Sequence, residues 1–289
     1  MALALRPDDL ADLHARARSA YPDLLRDLQR LVDIDSGTYS KPGVDRVSGW
    51  VMERLGELGA SVTDYPHDTF GDTRVATFER SDPGPTILLL GHADTVFGPG
   101  TARERPFRSA DGRAFGPGVA DMKSGLLVGL YALSLLRQRA GEPDDWLPAG
   151  RIIFVVNADE EVGSPASTPV IEALSARADA ALVLEGARPT GEIVTARAGM
   201  LHLRVSIAGR AAHAGVEPEQ GRSAVLEAAH VILALDAMAK DRPGTSLNVG
   251  EAHGGTRPNV VAAEMTLTID VRSTSAAEQD AVEADIRAL

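Results

Sequence analysis

Ile87-Leu88-Leu89-Leu90-Gly91-His92-Ala93-Asp94-Thr95 opens on an aliphatic run and closes on an imidazole and a carboxylate. An aliphatic run without polar alternation reads as a strand buried on both faces, the mark of a parallel sheet covered by helices. Two further runs repeat the arrangement. Ile152–Val156 leads into Asn157-Ala158-Asp159-Glu160-Glu161-Val162-Gly163, and Ala181–Leu184 leads into Glu185-Gly186. Open α/β sheets place their sites just beyond the carboxyl ends of the strands. One histidine and several carboxylates are therefore delivered to one crevice, and Asp121 in Gly116-Pro117-Gly118-Val119-Ala120-Asp121-Met122-Lys123 joins them. Carboxylates so gathered repel one another unless protonated or neutralised by cations. A divalent metal does this, and imidazole with carboxylates suits zinc.

Composition narrows the field around that crevice. The chain of 289 residues has room for two domains or one large one. Its formal net charge of -12, with no basic run, disfavours a nucleic-acid partner. With no cysteine, any metal must use His, Asp and Glu. The opening Met1-Ala2-Leu3-Ala4-Leu5-Arg6 is too short an apolar stretch, with the wrong charge order, for a signal peptide. No apolar run approaches the roughly 18 residues of a membrane span. The expectation is a soluble cytoplasmic protein without a membrane partner, with a mature exported form whose leader has been removed as the alternative.

Along the chain, Pro22 stands at a plausible first helical position, ahead of an amphipathic face of Leu24, Leu25, Leu28, Leu31 and Val32. A second helix is marked by Val44, Val47, Trp50, Val51, Leu55 and Leu58, with Gly59 as its stop. Strands are expected at 61–65, 75–78, 87–91, 151–157 and 180–185, and helices at 124–139 and 167–176. Residues 97–118, rich in Gly, Pro and Arg, read as a long functional loop. After about Ala198 the pattern changes to polar–apolar alternation, clearest from Val261 to Arg272. Strand, helix, two strands and a last helix make a split βαβ unit without its closing strand. The fold class read here is α/β: a mostly parallel sheet with helices on both faces (1–197), plus an α+β lid or dimerisation domain (198–289).

His92 and Asp94 are two apart on an extended segment, so both side chains point the same way. A metal-bound histidine gives its other N–H to a carboxylate or carbonyl, and Asp94 is placed to accept it. Asp121 has two oxygens and can bridge two metals. Of Glu160 and Glu161, one can ligate while the other handles protons. His14, His67, His202, His230 and His253 read as structural or surface residues, Asp159 as a surface or supporting acid, and Lys123 as a local cap or partner.

Gly91-His92-Ala93-Asp94-Thr95-Val96, Gly116–Gly125 and Asp159-Glu160-Glu161-Val162-Gly163-Ser164 resemble, in order, the signatures of the dizinc exopeptidase and deacylase family. That family includes glutamate carboxypeptidase (carboxypeptidase G), acetylornithine deacetylase and succinyl-diaminopimelate desuccinylase. The resemblance implies one zinc on His92, Asp121 and Glu185, a second on Asp121 and Glu161, and Glu160 as general base beside Asp94. It also implies a cis peptide after Asp121. A glutamate at 185 is similar to the carboxypeptidase branch. Ala211-Ala212-His213-Ala214-Gly215 resembles the segment whose histidine reaches a partner subunit's site. Asn259 and Arg272 resemble the substrate-binding asparagine and arginine of glutamate carboxypeptidases.

The activity so implied is that of a zinc hydrolase cleaving an amide next to a C-terminal carboxylate, acting on small peptides or N-acyl amino acids as a homodimer. An N-acyl amino-acid deacylase or dipeptidase is the near alternative. The resemblance also implies a last zinc-ligand histidine from a segment after the second domain. This sequence ends at Leu289, in a helix of that domain. The chain therefore resembles a truncated member with an incomplete second zinc site, reduced stability and a tendency to associate, and an inactive binding module is the third reading.

Overall fold

Alternating residues of one strand feed two cores. Ile152, Phe154 and Val156 pack towards one side, and Ile153 and Val155 towards the other, as the period of two demands. The computed structural model that shows this describes residues 7–140 and 146–289. The leader expectation made on Met1–Arg6 lies outside the described residues.

Contacts divide the chain into two units, one ending at Ala187 and the other spanning Arg188–Leu289. The break falls earlier than the change of sequence pattern near Ala198. The first unit begins with helices α1 (Pro7–Val32) and α2 (Lys41–Glu57), then strands β1 (Ser61–Tyr65), β2 (Thr73–Glu79) and β3 (Thr86–His92). A short helix α3 (Thr101–Glu104) and a hairpin of β4 (Arg108–Ala110) and β5 (Arg113–Phe115) come next. Helix α4 (Ser124–Ala140), strand β6 (Arg151–Asn157), helix α5 (Thr168–Ser175) and strand β7 (Ala180–Val183) complete it.

The sheet order is β1-β2-β6-β3-β7. Strands β6, β3 and β7 run parallel, whereas β2 and β1 add antiparallel neighbours. The sheet is thus mixed. On one face α1, α2 and α4 supply Leu28, Leu31, Val44, Val51, Leu127 and Leu130 to the core. On the other, Val170, Ile171 and Leu174 of α5 cover Val75, Leu88, Ile153 and Val155.

Four expectations need correction. Pro22 lies inside α1, not at its start. Asp8 and Asp9 occupy the favourable positive end of the helix, and the turn weakened by proline is carried through. Residues 97–118 are not a plain loop: Asp111 (φ 53) and Gly112 (φ 71) form a tight hairpin turn, and Arg108 lies 3.7 Å from the ring centroid of its cross-strand partner Phe115. Strand β7 is not buried on both faces. It is the sheet edge, with Leu182 53% and Val183 58% exposed, because only β3 flanks it among the described residues. Finally, the segment Val119–Arg139 is long and apolar enough by length and composition to cross a membrane. Its Leu126, Leu127, Leu130 and Leu133 are buried in the first unit's core.

The second unit is β8 (Gly199–Ala208), α6 (Ala224–Lys240), β9 (Thr245–Gly254), β10 (Glu264–Ser273) and α7 (Ala276–Ala288). Its antiparallel sheet has the order β8-β10-β9. Leu267, Ile269 and Val271 of β10 are fully buried, and the last two pack with Leu235 of α6 and Val282 and Ile286 of α7. Ser223 and Ser275 cap the two helices, accepting from the backbone N–H of Leu226 and Glu278 at 3.2 Å each.

Candidate metal centre

Strand β3 ends on His92, which is 1% exposed. Its Nδ1 lies 3.0 Å from the Asp94 carbonyl oxygen and 3.2 Å from its carboxylate. That leaves Nε2 towards the crevice, 3.0 Å from Asp121 Oδ1, 3.3 Å from Glu185 Oε1 and 3.9 Å from Glu160 Oε2. Four strand ends and turns meet here. Asp121 sits in a turn before α4, Glu160 and Glu161 in the 3-10 turn Glu160–Val162 after β6, and Glu185 just after β7. The Asp121–Met122 peptide is cis.

Close backbone approach fixes two of these positions. A Cβ at Gly125, in the first turn of α4, would lie 1.8 Å from the Leu184 carbonyl oxygen, so only glycine lets α4 press against the chain that carries Glu185. Gly118, at φ 72, starts the turn that presents Asp121.

Asp94 is fully buried and has exchanged water for protein donors. It accepts from the Thr38 hydroxyl at 2.7 Å and from the backbone N–H of Glu160 and Glu161 at 3.2 Å each. One carboxylate therefore orients the imidazole and anchors the turn that bears both glutamates. Burial by itself would push the His92 pKa down. Hydrogen bonds to Asp94 and Glu185, with the charges of Asp94 and Glu160, reverse this and push it up to about 11. Burial raises Glu161 to about 7, helped by the charge of Asp121. Burial also raises Glu160, opposed by His92 and aided by Glu185, Asp94 and Asp121.

All three shifts favour the protonated forms, because carboxylates are gathered around one buried imidazole. One ligand atom each from His92, Asp121 and Glu185 lies within 4.8 Å of the others, and among the described residues no second group of three does so. The donor set of one imidazole nitrogen and carboxylate oxygens fits zinc. Glu161 stands outside that group of three.

Asp159 and Lys123 depart from their sequence readings, and Thr38 is an addition. Asp159 is not at the surface. It is fully buried and accepts from Ala166 N–H at 2.6 Å, Ser167 N–H at 3.3 Å and the Ser167 hydroxyl at 2.6 Å. Lys123 is 1% exposed, and its Nζ donates to the distant Ile34 carbonyl at 2.9 Å, so it is no local cap. Burial pushes its pKa down to about 8, partly offset by Asp35 and Asp33. Thr38 gave no sequence signal, since its partner Asp94 lies 56 positions away.

In the second unit His213 and Asn259 come together. His213 bridges Val260, and Ala214 N–H donates to the Asn259 carbonyl at 3.0 Å. Both lie in loops beyond the end of the sheet where Ala208 pairs with Glu264. Arg272 pairs with Met200 at the other end, roughly 26 Å along the strand at about 3.3 Å per residue. The structure thus joins His213 to Asn259 and separates both from Arg272. His202 and His253 are exposed, as read.

A mixed α/β sheet with a histidine–carboxylate cradle at its strand ends, followed by a separate antiparallel α+β unit, defines a two-unit protein with a candidate metal centre. The sequence profile of the M20 peptidase dimerisation domain matches residues 195–289. Carboxypeptidase G2 of Pseudomonas sp. (strain RS-16) is 32% identical over 274 residues, 94% of this chain and 64% of that protein. Succinyl-diaminopimelate desuccinylase 2 of Shewanella loihica is 30% identical over 77% of this chain and 61% of its own length. The crystal structure of aminopeptidase PepT from Bacillus cereus superposes with a TM-score of 0.74 at 27% identity, covering 91% of this chain and 69% of that one. These matches support the M20 peptidase family for this chain. The chain spans 61% to 64% of the length of the two curated relatives above.

Proposed function

We propose that this chain is a zinc-dependent hydrolase of glutamate carboxypeptidase type, which cleaves an amide bond next to a residue bearing a C-terminal carboxylate. The observation that carries the reading is the convergence of His92, Asp121 and Glu185 within 4.8 Å. A third carboxylate, Glu160, is 49% exposed at 3.9 Å from His92 Nε2. His92, Asp121 and Glu185 would hold one zinc, and Asp121 with Glu161 would contribute to a second. Zinc held there acidifies water and polarises a carbonyl oxygen.

The chain's own residues supply the rest. Asp94 holds the imidazole ring in place through Nδ1. Glu160 takes the proton of the attacking water on Oε2 and returns it to the amide nitrogen as the C–N bond breaks. Its raised pKa suits a group that must hold that proton briefly. Arg272 grips the substrate carboxylate with a bidentate fork, and His213 and Asn259 donate to the scissile carbonyl.

A homodimer through the second unit fits this division of labour. His213 and Asn259 lie far along the sheet from Arg272, and a second copy would supply one part of this set to a substrate that the other part holds. Helix α6 exposes Leu226 (60%) and Leu233 (67%) on one stripe, opposite the buried Ala224, Ala228 and Leu235. The outer edge of β8 has no strand partner among the described residues. Both features are open to a second copy.

Metal analysis after dialysis, with release of glutamate from an N-acyl-L-glutamate, tests the proposal. Turnover should vanish with a chelator and return with zinc. A chain that binds no zinc overturns the reading. The 30% identity to a desuccinylase supports the neighbouring reading, deacylation of N-succinyl amino acids. Faster release of succinate than of glutamate from matched substrates would favour it.

A further inference from the structure

On the open face of the second unit, Arg272 stands beside two residues to which the proposed chemistry gives no role, Asp270 and His202. Residues paired directly across antiparallel strands share a face. Asp270 of β10 is paired with His202 of β8 and Asn248 of β9, and Arg272 with Met200 and Ser246. All lie opposite the buried Ile269 and Val271. Arg272 donates from Nε to both oxygens of Asp270, at 3.1 Å and 2.9 Å. From the next strand, His202 Nε2 lies 3.0 Å from Asp270 Oδ1. Asp270 is therefore held from two sides. The terminal nitrogens of Arg272, a residue whose side chain is 47% exposed, make no hydrogen bond among the described residues.

A guanidinium can present two edges to a carboxylate, the Nε side or the terminal pair. Here Asp270 occupies Nε, so the terminal pair is the edge left for a ligand. We infer that Asp270, steadied by His202, is a positioning residue that fixes the Arg272 fork for a substrate carboxylate. The inference rests on the proposed role of Arg272 as that grip. Fixing the fork before binding removes the rotamer entropy that a long side chain would otherwise lose on binding.

Electrostatics alone gives the opposite sign. Asp270 is a negative charge beside an anion site, and deleting it should strengthen anion binding if charge were its only effect. The two accounts therefore part cleanly in one experiment. The full chain is titrated calorimetrically with N-acetyl-L-glutamate and with its diamide. The parent should prefer the acid. Asp270→Ala should weaken binding of the acid about 10-fold, the scale of one charge-assisted hydrogen bond, and leave the diamide unchanged. Asp270→Asn, whose amide oxygen still accepts from Nε, should restore most of that loss, and His202→Ala should show a smaller loss. Thermal melts of the variants confirm that each is folded.

Tighter or unchanged binding of the acid by Asp270→Ala overturns the positioning role. Arg272→Ala tests the reading beneath it. If that variant keeps the parent's preference for acid over diamide, or if the parent shows none, Arg272 is not the grip and the inference falls with it. Loss of preference in Arg272→Ala with none in Asp270→Ala removes the positioning role alone.

Discussion

Each unit holds a histidine against an aspartate at nearly the same distance, 3.2 Å for His92–Asp94 and 3.0 Å for His202–Asp270. Their surroundings differ completely. The first pair is 1% and 0% exposed, the second 60% and 32%. Around Asp94 every visible partner is a fixed protein donor, two of them backbone N–H groups. Around Asp270 the partners are exposed side chains, Arg272 and His202, in reach of water. The lesson is that separation alone does not set what an ion pair does. In the low-dielectric crevice a charge cannot be left without a partner, whereas on the open sheet water and salt screen most of the interaction.

The largest expected effect lies beside the buried pair. Glu160→Gln keeps the size of the side chain and removes its basicity. Turnover should fall about 10²–10⁴-fold, the usual cost of losing a general base, while zinc content stays that of the parent. Normal turnover in this variant would mean that the half-exposed carboxylate is a bystander to the pair.

Next in size is Asp94→Ala, set against Asp270→Ala. Removing one partner of a buried ionic pair costs about 3–5 kcal/mol, and here it also strands the Thr38 hydroxyl and two backbone N–H groups. The exposed counterpart should cost at most about 1 kcal/mol. Urea denaturation of the two variants gives both numbers. Equal losses would break the comparison, since burial would then not distinguish the pairs. Zinc affinity should also fall about 10–100-fold in Asp94→Ala, the common cost of losing the partner that orients a ligand histidine.

How far this contrast was legible in the sequence depends on the residue. His92, Asp121, Glu160 and Glu185 could be read because each follows an apolar run or a glycine turn, and strand ends bring such residues together. The buried strands β3 and β6 were equally plain as unbroken aliphatic runs. The same rule misled for β7, whose run looks like theirs. Burial there depends on what lies across the sheet edge, and Leu182 and Val183 stay exposed. Thr38, and the burial of Asp159, have a different reason. A carboxylate that satisfies backbone donors has no sequence spacing to betray it, and a contact across 56 positions has no period. Lys123 was misread because a buried lysine breaks the usual preference for the surface, and only the Ile34 carbonyl and the nearby acids explain it. In the second unit, alternation revealed the strands but not that Asp270 and His202 would be neighbours, since register is a property of pairing.

The smallest expected effect is the acid dependence of the exposed pair, and it sharpens the comparison most finely. The hydrogen bond from Arg272, with the charges of Arg272 and His202, holds the Asp270 pKa below its ordinary carboxylate value of 3.8. A carboxylate depressed by folding contributes stability above its unfolded pKa and loses it as pH falls through its folded value. The Asp270 contribution should therefore be fully present at neutral pH and disappear below about pH 4. Because the pair is open to solvent, its size should stay below about 1 kcal/mol and shrink further in molar salt. Melts of the parent and Asp270→Asn from pH 7 down to pH 3, at low and high salt, isolate it as the difference between two curves. The curves should converge at the acid end and also at high salt. A difference that persists undiminished in molar salt would show that the exposed pair is as sheltered as the buried one, and the division drawn between the two units would fail at its most exposed point.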